Sequence, residues 1–159
     1  MKAPNVEILV HEGDGGRVLY AVQDHNLVTN VGLTCLVGLL AHSTTSNDAK
    51  WVNDGGTVFI KTPRYIAVGT GAVAPAAGDT ALGAEVLRKL IVRRYPLTHG
   101  IEWYGFLSTA EGNGSSLTEA GLFCESATGS LLARVTHVAI VKTVLFSVSY
   151  KWTWTFGNG

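Results

Sequence analysis

The sequence predicts a mainly β (α+β) fold: an antiparallel β-sandwich or jelly-roll-like body with one or two short helices. Three features point to it. From Leu90 onward, strand-like stretches follow one another at close spacing, separated by turn-forming clusters. The last of them alternates strictly, with Val148, Tyr150, Trp152, Trp154 and Phe156 on one face and Ser147, Ser149, Lys151, Thr153 and Thr155 on the other. Apolar residues at helical spacing are confined to one long and one short segment. Many short strands with regular turns are the pattern of two packed sheets.

Val6 to Val10 and Arg17 to Gln23 read as a hairpin around His11-Glu12-Gly13-Asp14-Gly15-Gly16, whose glycines supply the positive φ a tight loop demands. Asn26 or Thr29 is placed to cap a buried helix from about Leu27 to Ala41, in which Leu33, Leu36, Val37 and Leu40 recur at helical spacing. Gly32 and Gly38 weaken that helix but permit close packing. His42 to Gly56 has loop composition, with Trp51 either folded back on the core or presented as a contact anchor. Thr57 to Lys61 and Tyr65 to Val68 follow as strands, with Pro63 marking a break or an edge. After the small-residue loop Gly69 to Gly78, Asp79 or Thr80 can cap a short helix through Leu82, Val86 and Leu90. Strands are then expected over Leu90 to Leu97, Ile101 to Ser108, Leu117 to Cys124, Leu131 to Val141 and Leu145 to Phe156. The expected organisation is one domain over 1–159: an N-terminal hairpin (1–24), a helix and loop (25–56) and a β body (57–156).

A chain of 159 residues buries enough surface, roughly 70% of that exposed when unfolded, to need no staples. Only 15% of residues are charged, against about 25% in an average domain, so contacts with other subunits are expected to replace some solvated surface. Lys plus Arg and Asp plus Glu each number 12, and this neutrality recommends neither nucleic acid nor an anionic membrane as a partner. Met1 to Asn5 leads into an apolar run that stops at His11-Glu12, which is no secretory signal, so synthesis in the cytoplasm is expected. The apolar stretch Leu27 to Ala41 is interrupted by Thr29, Asn30 and Thr34 and is shorter than the roughly 20 residues of a membrane span. Cys35 and Cys124 stand far apart, in no metal or redox spacing, and read as buried thiols or as a disulfide formed in an oxidising exterior.

No catalytic residue, cofactor or metal site is expected. The nucleophile elbow G-x-S-x-G and the zinc motif H-E-x-x-H are absent, and His11, His25, His42, His99 and His137 fall on separate segments. The Gly69 to Gly78 loop resembles a phosphate cradle only superficially, since Asp79-Thr80 stands where a P-loop needs Lys and a hydroxyl. Glu102, Glu111, Glu119 and Glu125 are the carboxylates from which a glycosidase pair would have to come. Arg88-Lys89-Leu90-Ile91-Val92-Arg93-Arg94 is the one basic block and reads as a solvated face or as the complement of an acidic patch on a neighbour. Trp51, Trp103 and Tyr104 could offer stacking surfaces to a receptor. The candidate interface residues are Trp51, Arg88, Arg93, Arg94, Tyr150, Trp152 and Trp154.

Several passages carry a resemblance. They are His25-Asn26-Leu27-Val28-Thr29-Asn30-Val31-Gly32-Leu33, Tyr65-Ile66-Ala67-Val68-Gly69-Thr70-Gly71, and Ala74-Pro75-Ala76-Ala77-Gly78-Asp79-Thr80-Ala81-Leu82 with Glu85. Further on come Leu117-Thr118-Glu119-Ala120-Gly121-Leu122-Phe123, Leu131-Leu132-Ala133-Arg134-Val135-Thr136 and Trp152-Thr153-Trp154-Thr155-Phe156. In this order they resemble a family of small virion structural proteins of tailed bacteriophages, described as tail-fibre-like or accessory. The resemblance implies a place in the virion and an assembly role, with no catalytic motif to transfer. The expected partners are the chain itself, with a trimer among the symmetries to consider, and other phage structural proteins of tail, baseplate, neck or capsid. The leading expectation is a tail-associated protein that forms or anchors a short fibre. Capsid decoration and receptor binding are the alternatives. Within the chain, Glu119 and Arg134 are expected to pair across strands, a contact worth at most roughly 1 kcal/mol if exposed.

Overall fold

Strict alternation in the final stretch places it at the centre of a sheet, and the rest of the architecture grows outward from it. A computed structural model describes residues 6–40, 51–52, 58–59, 62–128 and 130–156. Its elements are β1 (Val6–Glu12), β2 (Val18–Asp24), β3 (Leu27–Val28), α1 (Asn30–Leu40), β4 (Trp51–Val52), β5 (Val58–Phe59) and β6 (Tyr65–Gly69). They continue with β7 (Glu85–Leu90), β8 (Arg93–Leu97), β9 (Gly100–Leu107), β10 (Ser116–Phe123), β11 (Leu131–Val141) and β12 (Phe146–Thr155). Two antiparallel five-stranded sheets result, a first in the order β2-β1-β12-β9-β8 and a second in the order β3-β11-β10-β6-β7; β4 and β5 form a separate pair. The expected mainly β sandwich is therefore what the chain forms.

β12 lies between β1 and β9, with Tyr150 opposite Ile8 and Gly105, and Trp152 opposite Val6 and Trp103. Val148, Tyr150, Trp152 and Trp154 are all buried and share one core cluster with Ile66, Leu122, Leu132 and Val135 of the second sheet. The sequence left this face open between core and subunit contact. The structure gives core: Tyr150, Trp152 and Trp154 meet their own chain's second sheet and are not available to a neighbour. Phe156 departs from the expected face, because β12 ends at Thr155 and Phe156 is 50% exposed. The polar face is as read, with Lys151 directly opposite Glu7 on β1 and ion-paired to it.

The opening hairpin forms as expected, and Gly13 and Gly15 hold φ of 58° and 77° in its loop. The helix starts later than its periodicity suggests. Leu27 and Val28 pair instead with Arg134 and Ala133 of β11, and Thr29 caps α1 by accepting the Gly32 N–H at 3.1 Å. Gly32 lets the helix touch the sheet, since a Cβ there would stand 2.1 Å from the Leu132 carbonyl oxygen. Cys35 faces the core, whereas Leu33, expected there, is 50% exposed.

The expected helix through Leu82, Val86 and Leu90 is absent. Glu85–Leu90 is β7, an edge strand with Val68 opposite Leu87 and Tyr65 opposite Leu90. Its spacing of four fits a helix, but β6 offers a complete ladder, and Asp79 turns away from any capping role to bind Ala76 N–H and Arg134. The expected single strand Leu90 to Leu97 is divided for a related reason. The Ile91 N–H donates to Arg64 beside the second sheet and the next, of Val92, donates to Tyr104 of the first, so the chain changes sheets over two residues. Cys35 and Cys124 are buried and neither is in a disulfide.

Candidate functional site

The second sheet is covered on its outer face by its own chain, and the cover is held electrostatically. Glu119 of β10 is fully buried there. Its Oε1 accepts the N–H groups of Gly71 (2.9 Å) and Ala84 (2.8 Å), and its Oε2 accepts that of Gly83 at 3.0 Å. Arg134 of β11 donates to the same Oε2 from Nε and Nη2, at 3.0 and 2.8 Å. Its Nη1 reaches Asp79 at 2.7 Å, and Nη2 also reaches the Val73 carbonyl at 3.0 Å. Gly71 has to be glycine, because a Cβ would lie 2.4 Å from Glu119 Oε1.

Burial alone would raise the Glu119 pKa, but the surrounding N–H groups and the Arg134 guanidinium hold it below the ordinary carboxylate value. The Ala76 N–H and Arg134 lower that of Asp79 in the same way. The pairing of Glu119 with Arg134 is as read from the sequence, but the pair is buried rather than exposed. The loop that resembles a phosphate cradle does cradle an anion, and the anion is the chain's own carboxylate. With both Glu119 oxygens engaged, this cluster fastens residues 70–84 over the sheet.

The remaining carboxylates do not converge. Glu102 accepts from the Tyr104 hydroxyl at 2.8 Å, which together with burial pushes Tyr104 up to about 12. Glu111 binds Lys89 and Ser108, and Glu125 accepts a weak contact from the Cys124 thiol. Among the described residues no three His, Cys, Asp or Glu side chains stand in metal-binding proximity, and no helix is long and apolar enough to cross a membrane. His11 meets Ser149 at 2.9 Å and the Gly16 carbonyl at 3.2 Å on the open face of the first sheet. His137 is buried beside Tyr150, which lowers its pKa, and His42 lies outside the described residues.

The crossing between sheets also breaks up the basic block. Arg88 stays on the second sheet, stacked 3.6 Å from the Phe123 ring centre and held by Glu85 and the Glu125 carbonyl, so its guanidinium serves its own chain. Arg93 and Arg94 lie on the exposed edge strand β8 of the first sheet. The Trp51 backbone belongs to β4, and its side chain lies outside the described residues. Trp103 is buried, edge-on to Trp154 at 4.9 Å, and Tyr104 is partly buried on the opposite face, so the two do not form one stacking surface.

Two features had no sequence signal because residues far apart in the chain build them. The first is a cavity of about 250 Å³ at one end of the sandwich, where α1 meets β8, β9, β11 and β12. Among the described residues its walls are apolar except for Thr62 and Arg94. The second is an apolar strip. Val18, Leu19 and Tyr20 of edge strand β2 are each 46% exposed, and Val138, Val141, Val144 and Leu145 are 62% to 75% exposed. β2 runs beside β11, and Gly13 of the β1–β2 loop donates its N–H to the Leu145 carbonyl, so the two groups lie on neighbouring segments of the chain's surface. None of the known protein families, curated proteins or solved structures compared with the chain matches it.

Proposed function

We propose that the chain is a non-catalytic structural component of a tailed-phage virion that assembles with copies of itself and with other particle proteins. The single observation that carries the assembly part is the exposed apolar strip from Val18 to Tyr20 and from Val138 to Leu145. Large apolar side chains gathered at a sheet edge favour association; no Pro stands in either group, and Lys142, the one Lys within them, is buried rather than presented to a neighbour. The place in the particle rests on the resemblance, with tail, baseplate or neck as the leading setting and capsid decoration or receptor binding as the alternatives. Low charge supports an assembled state, and Arg93 and Arg94 remain as exposed residues that can set register with an acidic neighbour.

The experiment is the mass of the purified chain by light scattering, for the natural sequence and for Val138→Glu with Leu145→Glu. The natural chain is expected to be an oligomer and the double variant a folded monomer with an unchanged melting temperature. A natural chain that stays monomeric at high micromolar concentration overturns the self-association part of the proposal. Immunolabelling of particles then separates tail from capsid, since copies in icosahedral array on the head would end the tail reading.

A further inference from the structure

The first sheet ends in an opening that the core does not fill. Trp103 and Trp154 form one side of it, Leu132 and Leu36 face them, and Pro63 and Phe156 border it. About 250 Å³ is more than an aromatic ring requires, given that an engineered cavity of about 150 Å³ accepts benzene. Apolar walls of this kind select an apolar body.

Charge selects the other half of the ligand. Arg94 is the one charged residue on the cavity wall among the described residues. It stands opposite Trp103 in the β8–β9 ladder, so it shares that residue's side of the sheet rather than pointing away. Its guanidinium makes no ion pair or hydrogen bond among the described residues, whereas those of Arg88 and Arg134 are each bound to a carboxylate. Trp154, on the same wall, holds a buried indole N–H that also has no partner. Among the described residues no acidic side chain lines the space, so they offer a cationic ligand no counter-charge.

We propose that this cavity is a binding site for a small molecule with an apolar ring or short chain and one carboxylate, the apolar part lying between Trp103, Trp154 and Leu132 and the carboxylate meeting Arg94. None of its residues belongs to the apolar strip that carries the assembly reading, and Arg94 is the one residue the two readings share. A guanidinium–carboxylate pair at the mouth adds specificity for the acid over an uncharged analogue of the same shape.

The test titrates the full chain with hydrocinnamate and, separately, with hydrocinnamyl alcohol, following the Trp154 indole N–H resonance, which is assigned by its loss in Trp154→Phe. Saturable binding of the acid is expected, about tenfold tighter than the alcohol, as one charge-assisted bond provides. In Arg94→Gln the two probes should bind alike, and in Arg94→Lys part of the preference should return. Equal affinity of the natural chain for acid and alcohol overturns the proposal. So does the absence of a saturable shift with either probe, or an acid preference that survives Arg94→Gln in a variant that melts like the natural chain.

Discussion

Arg134 and Lys142 are both cations withdrawn from solvent, one within β11 and one just past its end, and the chain holds them in opposite ways. Arg134 is answered by two carboxylates, and its cluster ties residues 71–84 to strands more than thirty residues away in sequence. Lys142 is answered by neutral oxygens only: the Thr143 carbonyl at 2.8 Å, Asn113 Oδ1 at 3.0 Å and the Thr109 carbonyl at 3.4 Å, with the Phe146 ring centre 5.5 Å away. Burial therefore lowers the Lys142 pKa, while Asp79 and Glu119 outweigh burial and raise that of Arg134. The difference teaches that a buried charge in this fold can serve two purposes. Arg134 neutralises a second buried charge and fastens a distant cover. Lys142 organises a local turn, where Gly112 and Gly114 hold φ of 67° and 81°, and feels Asp14 and Glu111 only at a distance, too weakly to offset burial.

The largest effect should come from removing one partner of the compensated cluster. Arg134→Met strands Glu119 in the interior, and denaturant unfolding should show a loss of about 3–5 kcal/mol. Adding Glu119→Gln to that variant should recover much of the loss; no recovery would mean that the pair does not act as a unit. Lys142→Met should cost less, about 1–3 kcal/mol, since it leaves two carbonyls and an amide oxygen short of a donor but removes a charge that burial opposes. Equal losses at the two positions would erase the distinction drawn above.

The two centres should also separate on a pH axis. Glu119 and Asp79 have folded pKa values below their ordinary 4.5 and 3.8. The stability they supply is complete above those values and is lost as pH falls through the lower folded ones. Lys142 gives a slope of the same sign at the alkaline end, where it relieves a penalty instead of supplying a gain. Its folded pKa lies below 10.5, so between the two values the unfolded chain holds a proton that the folded chain has shed, and stability rises with pH. Urea midpoints for the natural chain and Lys142→Met should accordingly diverge in the natural chain's favour on the alkaline side. The smallest effect belongs to Asn113→Ala, which removes one of three acceptors at an exposed turn and should cost about 1 kcal/mol.

What the sequence made legible follows from which interactions are periodic or local. β12 could be read because a central strand with one buried face forces an alternation that no helix shares. Glu119 and Arg134 could be paired because adjacent strands bring them within reach, but their burial could not be foreseen, since the cover comes from a loop of small residues with no period. Leu82, Val86 and Leu90 misled because a spacing of four satisfies a helix whether or not a strand partner is waiting. The basic block looked like one surface because nothing in Leu90-Ile91-Val92 announces a change of sheet. The cavity beside Arg94 draws on residues 35 to 156, and only the packing of two sheets brings them together.

The pairing of β1 with β12 bears on mechanics. Val6, the first residue of β1, lies opposite Trp152 near the end of β12, so both outer ends emerge at the same end of the first sheet. Tension applied across those two ends loads the seven paired positions one rung at a time, as in opening a zipper, rather than shearing all of them together. A chain held by these ends would yield at low force, whereas the same chain gripped by its flanks would resist as a block.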